Sequence, residues 1–122
     1  MFTDPQSVTI NAVATSLPRI ASGNQLGTFS STDGTVVESI AHTSSGKSKR
    51  FRRTLRLTQT KIAADSYNPT INTQSTQSIY VVVDVPATGF SLTEQQYLAA
   101  AFTAYLSASS NAKLFQLLNG EA

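Results

Sequence analysis

Within residues 49–62, positions 50–58 alternate with a period of two. The odd positions give Phe51, Arg53, Leu55 and Leu57, and the even positions give Arg50, Arg52, Thr54, Arg56, Thr58 and Thr60. Successive side chains of a β-strand point to opposite faces. The pattern therefore predicts one long strand with an apolar face, interrupted by Arg53, and a face made only of basic and hydroxyl groups. Such a strand belongs in an antiparallel sheet that is covered on one side and open on the other.

The charge is concentrated on the same strand. Seven of the nine Lys and Arg residues fall between positions 47 and 61, and no acid occurs from 39 to 64, so that segment carries +7. Arg19 and Lys113 against seven acids leave −5 elsewhere, which hides the feature inside a net charge of +2. A local field of this kind attracts a polyanion even when the whole chain is nearly neutral. Elsewhere charge is sparse, since Asp, Glu, Lys and Arg make up only 13% of the 122 residues. The length predicts one domain.

Along the chain, residues 8–13 (VTINAV) alternate and read as a first strand. Residues 17–21 read as a second, with Pro18 arguing for an edge position or an irregular start. Residues 26–30 form a third and 35–43 a fourth, separated by the hairpin signal Thr32-Asp33-Gly34. Ser44-Ser45-Gly46 reads as the next turn, 49–62 as the fifth strand, and 64–76 as a long polar loop. Residues 78–85 (SIYVVVDV) form the sixth, with Ile79, Val81, Val83 and Val85 on one face. The period then changes. Ser91-Leu92-Thr93-Glu94 is a capping box, and it opens a helix to about Ser107 whose stripe holds Tyr97, Leu98, Ala101, Phe102, Tyr105 and Leu106. Ser109-Ser110-Asn111 breaks it before a second helix over 112–118, closed at Gly120.

Six strands followed by two helices predict an α+β fold with an antiparallel six-stranded sheet, an N-terminal hairpin plus a meander. The expected organisation is a single domain over 1–122, with a sheet region to residue 85 and a helical dimerisation region over 91–118. In a simple meander the sixth strand lies at the sheet edge, without Lys, internal Pro or Gly to blunt it. An apolar edge of that kind invites pairing with a second copy of the chain; the alternative is a reordered sheet in which this strand is central.

This succession resembles the coat proteins of single-stranded RNA bacteriophages of the levivirus type. The resemblance lies in VTINAVATSLPRIA, the basic strand KSKRFRRTLRLTQTK, the loop ADSYNPTINTQST, the strand SIYVVVDVP, and the helical segments SLTEQQYLAAAFTAYLSASS and AKLFQLLNGEA. It covers nearly the whole chain and rests on element order and polarity. It implies an interlocked dimer with the helices of each subunit over the partner's sheet. It further implies an icosahedral shell built of those dimers in the host cytoplasm, and a place in the virion. The loop over 64–76 would contact neighbours around symmetry axes. The open sheet face would line the interior, hold single-stranded genomic RNA, and in many members bind an operator hairpin as a translational repressor. Carried over by strand, the RNA-facing positions are Arg50, Arg52, Thr54, Arg56 and Thr58, with Tyr80 and Asp84 on the last strand.

The residues support an RNA interface on their own chemistry. Lys49, Arg50, Arg52 and Arg56 would neutralise phosphates and release counterions. Thr54 and Thr58 would bond phosphate or base edges, and Tyr80 would stack on an unpaired base. The alternative is a small dimeric RNA-binding regulator that forms no shell. An enzyme is not expected. Cys is absent, His42 is the only histidine, and the acids show no paired spacing. No metal, cofactor or membrane partner is predicted, and residues 1–8 do not read as a secretory signal. The run 41–48 (AHTSSGKS) imitates a phosphate-binding loop, but that loop needs a helix at its Lys-Ser, and here strand periodicity follows.

Overall fold

The computed structural model describes residues 2–45, 49–64, 67–68 and 70–122. Internal contacts divide the chain into two units, 1–85 and 86–122. The first holds seven strands: β1 (Gln6–Ile10), β2 (Val13–Leu17), β3 (Arg19–Gly23), β4 (Leu26–Ser30), β5 (Val36–Ser45), β6 (Arg50–Ala64) and β7 (Asn72–Pro86). The second holds one helical element, α1 (Leu92–Leu118). The fold class is α+β as expected, but the six-stranded sheet is replaced by a two-stranded sheet β1-β2 and a five-stranded sheet in the order β3-β4-β5-β6-β7.

The extra strand comes from the start of the chain. The strand expected over 8–13 is instead a hairpin, with Ile10 paired to Val13 and Gln6 to Leu17. Asn11 and Ala12 form its two-residue turn with φ of 50° and 65°. Positive φ at both turn positions matches the right-handed strand twist. Asn11 suits that conformation, but Ala12 gives no glycine signal. The strand expected over 17–21 is split at Pro18, which has no N–H to continue a ladder. Its carbonyl instead accepts from the Ser30 N–H at 3.0 Å.

Two further boundaries differ. Ser44 and Ser45 belong to β5, while Gly46, Lys47 and Ser48 lie outside the described residues. The loop expected over 64–76 is much shorter, because β7 begins at Asn72. The added segment is polar and exposed on both faces, so no apolar alternation marks it. It is held instead by contacts across to β6: Thr60 Oγ1 to Thr76 Oγ1 at 3.2 Å, and Gln77 Nε2 donating to Gln59 Oε1 at 2.8 Å. Within that loop Asp65, Ser66 and Pro69 lie outside the described residues.

The turn between β4 and β5 follows the sequence signal. Asp33 Oδ1 accepts from Ser31 Oγ, from Thr35 N–H and from Thr35 Oγ1 at 2.7, 3.1 and 2.8 Å. These bonds, that from Ser31 foremost, pull its pKa down to about 2. Gly34 supplies the positive φ of 76°.

Leu17 and Phe29 are fully buried, and Val36 and Ile40 complete the core with Val8, Ile10 and Leu57 packed against it. Register explains why these residues meet. Phe29 lies opposite Glu38, Glu38 opposite Leu57, and Gly27 opposite Ile40, so all share one sheet face, which β2 covers over β4 and β5. Glu38 is buried on that face and has no ion pair among the described residues. Desolvation pushes its pKa up.

In the second unit, Ser91 caps α1 as expected, its Oγ accepting from the Glu94 N–H at 3.3 Å. The two expected helices appear as one helical span, with non-helical backbone at 108–111 in which Ser109, Ser110 and Asn111 are left-handed. Its end is a Schellman closure. The Gly120 N–H bonds the Leu117 carbonyl, the Glu121 N–H bonds the Gln116 carbonyl, and Gly120 has φ of 81°.

Two outcomes follow from this packing. Ala12→Gly should stabilise the fold by about 1 kcal/mol, since glycine has no Cβ to clash at positive φ; urea unfolding measures it, and a loss of stability would contradict the turn assignment. Glu38 has its folded pKa above its unfolded value of 4.5. Its contribution is therefore fully present below that value and lost as pH rises through the folded value. Glu38→Gln should be more stable than the parent at pH 7, and the difference should shrink toward pH 4. Parallel unfolding curves at both pH values, with a constant difference, would rule this out.

Candidate nucleic-acid interface

The open face of the five-stranded sheet is built on the even positions of β6. On its β5 side, Arg52 lies opposite Thr43, Thr54 opposite Ala41, Arg56 opposite Ser39 and Thr58 opposite Val37. These neighbours are short, so the basic side chains stand above a low floor. On the β7 side, the contacts Gln59–Gln77 and Thr60–Thr76 fix an antiparallel register. That register puts Tyr80 beside Arg56, and the Arg56 guanidinium lies over the Tyr80 ring at 4.7 Å from its centroid. Asp84 lies further along the same face and its Oδ1 accepts from Arg50 Nε at 3.0 Å.

The structure thus gathers Arg50, Arg52, Thr54, Arg56, Thr58 and Tyr80 on one face. The arginines and Tyr80 are exposed, and Thr54 and Thr58 are half-buried. Along the strand, even positions recur about every 7 Å. Lys49 is exposed in the turn just before β6, with φ of 50°, at the mouth of the face rather than within its alternation. The extension of β7 adds Thr76 to the same face, which a loop over 64–76 did not foresee.

The opposite face carries a different chemistry. Arg53 stands there, its guanidinium 5.9 Å from the Phe51 ring centroid, directly across from His42. His42 is half-buried and its Nδ1 has no hydrogen-bond partner among the described residues. Gln59 and Gln77 share this face, so Ile79, Val81 and Val83 of β7 continue the apolar row of Leu57 and Leu55. Ile79 is 57% exposed and Leu55 is 40% exposed.

The imitation of a phosphate-binding loop finds no support in its surroundings. Ala41 to Ser45 are strand, and strand resumes at Arg50 with no helix between that strand and Ala64, while Gly46, Lys47 and Ser48 lie outside the described residues. Among the described residues no group of His, Cys, Asp and Glu could hold a metal ion. No described helix is long and apolar enough to cross a membrane.

No protein-family profile and no curated protein matches the sequence. Solved structures do match over nearly its full length. The virus-like particle of bacteriophage AVE019 is 15% identical, with a TM-score of 0.75 over 89% of this chain and 90% of that one. The virus-like particle of Beihai levi-like virus 21 is 12% identical, with a TM-score of 0.74 over 97% and 94%. The coat protein of bacteriophage EMS014 is 11% identical, with a TM-score of 0.72 over 99% and 98%. The resemblance carried by element order thus holds in three dimensions, and the chain has the fold of the coat proteins of the RNA bacteriophages.

Proposed function

We propose that the chain is a structural coat subunit, not an enzyme, that assembles with copies of itself into a shell and packages single-stranded RNA against its basic sheet face. The observation that carries this reading is the state of β7. It is the last strand of the five-stranded sheet, and its residues Ile79 to Val83 are all exposed in the chain. An edge so apolar is a template for another strand. A two-fold partner pairing along β7 would join two sheets edge to edge, keeping both basic faces on one side. The exposed Leu55, Val81 and Val83, and the exposed aromatics Tyr97, Phe102, Tyr105 and Phe115 of α1, supply apolar surface for the same association.

The fold supports the shell. Its neighbours include virus-like particles, and one is described as an unassembled virus coat protein dimer and a bacteriophage RNA-binding dimer. The face built on Arg50, Arg52, Thr54, Arg56, Thr58 and Tyr80, with Lys49 at its mouth, would then line the interior and meet RNA through phosphate neutralisation. Binding of an operator hairpin would use the same face. The position of the protein would be the virion. A small dimeric regulator remains the second reading, since the basic face serves it equally well.

Expression of the whole chain in bacteria separates the two. Size exclusion followed at 260 and 280 nm, with imaging of the leading peak, should give megadalton hollow particles rich in RNA. A dimer-sized peak that binds RNA in a salt-sensitive way would favour the regulator, and a small peak without nucleic acid would remove both readings. The double change Arg52→Glu and Arg56→Glu should strip co-purifying RNA. If two phosphate contacts are lost, affinity for single-stranded RNA falls about 25-fold at 0.1 M salt.

A further inference from the structure

The basic face carries a carboxylate, and electrostatics alone would not put one there. Asp84 is the one acid that the described strands place on this face, and it would repel the phosphates that the arginines attract. Its partner is Arg50, held at 3.0 Å, with both side chains substantially solvent-exposed at 46% and 39%. An exposed pair of this kind contributes little to stability, so holding the fold together does not account for it. The three arginines of the face are consequently in three different states. Arg50 is tied to Asp84, Arg56 lies over Tyr80, and Arg52 has neither an ion pair nor a ring contact among the described residues.

We propose that Asp84 is an electrostatic latch: it withholds Arg50 from RNA phosphate until an unpaired base offers the carboxylate a hydrogen-bond donor in exchange. This rests on the reading of the face as an RNA interface. An ionised carboxylate only accepts hydrogen bonds, so phosphate cannot satisfy it. The Watson–Crick edge of an unpaired base can, and cytosine is well suited because its N4 amino group donates to Asp or Glu. Uracil presents a single imino donor between two carbonyl oxygens that repel a carboxylate. In a duplex these edges are occupied, so the exchange operates on single strands and loops, where RNA-binding proteins find unstacked bases. Arg52 would make the first, sequence-blind contact. Arg50 would be released only when the base at Asp84 takes its place.

The test is a double-mutant cycle on the full-length chain, titrated at nanomolar concentration with twelve-nucleotide oligocytidine and oligouridine over a series of salt concentrations. The unaltered chain should prefer oligocytidine. Asp84→Asn should bind oligouridine about fivefold more tightly at 0.1 M salt, with a salt slope steeper by about 0.7, the signature of one added phosphate contact on single-stranded RNA. The preference for oligocytidine should vanish with it. Arg50→Gln alone should weaken oligouridine binding, since it leaves the Asp84 carboxylate uncompensated, and in that background Asp84→Asn should give a gain well below fivefold. An equal gain with and without Arg50 would mean that Asp84 acts only by general repulsion, and would overturn the latch. So would equal binding of the two oligomers by the unaltered chain, or no response to Asp84→Asn. If the unaltered chain binds neither oligomer in a salt-sensitive way, the RNA interface itself fails and the latch with it.

Discussion

One strand has to satisfy two unlike surroundings, and the rest of the molecule is arranged around that requirement. The odd side chains of β6 need apolar cover, and the even ones need water or a polyanion. An antiparallel sheet open on one side meets both needs. The β1-β2 hairpin supplies cover at one end, where Leu17 and Phe29 close the core with Val36 and Ile40. Toward β7 the same apolar face stays exposed at Leu55, Val81 and Val83. The partition of β6 therefore fixes a basic face and also leaves half of the apolar face unfinished within the chain.

Much of this was legible because period-two alternation depends only on backbone geometry. The two faces of β6, the Asp33 turn, the Ser91 cap and the break after Ser107 all have local causes. The errors arose where the local signal was silent or pointed elsewhere. Ala12 takes a left-handed conformation with no glycine to announce it. Residues 72–77 form strand without a buried face, so the polar ladder Thr60–Thr76 and Gln59–Gln77 was invisible until β6 and β7 were side by side. The candidate interface shows the same division. Alternation assigned Arg50, Arg52, Thr54, Arg56 and Thr58 to one face, but the partners of Arg50 and Arg56 depend on a cross-strand register that no single segment encodes.

Two acids illustrate how placement governs charge in this small sheet. Asp33, at a turn, is surrounded by donors and stays ionised down to about pH 2. Glu38, in the core, is desolvated and holds its proton more tightly than a free glutamate. They lie five positions apart, and the difference comes from hydrogen bonds in one case and burial in the other.

The exposed β7 has a consequence for what stability means in this protein. Among the described residues, the buried apolar core of the first unit is Leu17, Phe29, Val36 and Ile40, a small reserve against the chain entropy of a domain. On the proposed pairing, the remaining apolar surface is buried only when a second copy arrives. Folding and association then become one linked equilibrium governed by mass action. The melting temperature would rise with protein concentration, and dilution would act on this chain as a denaturant.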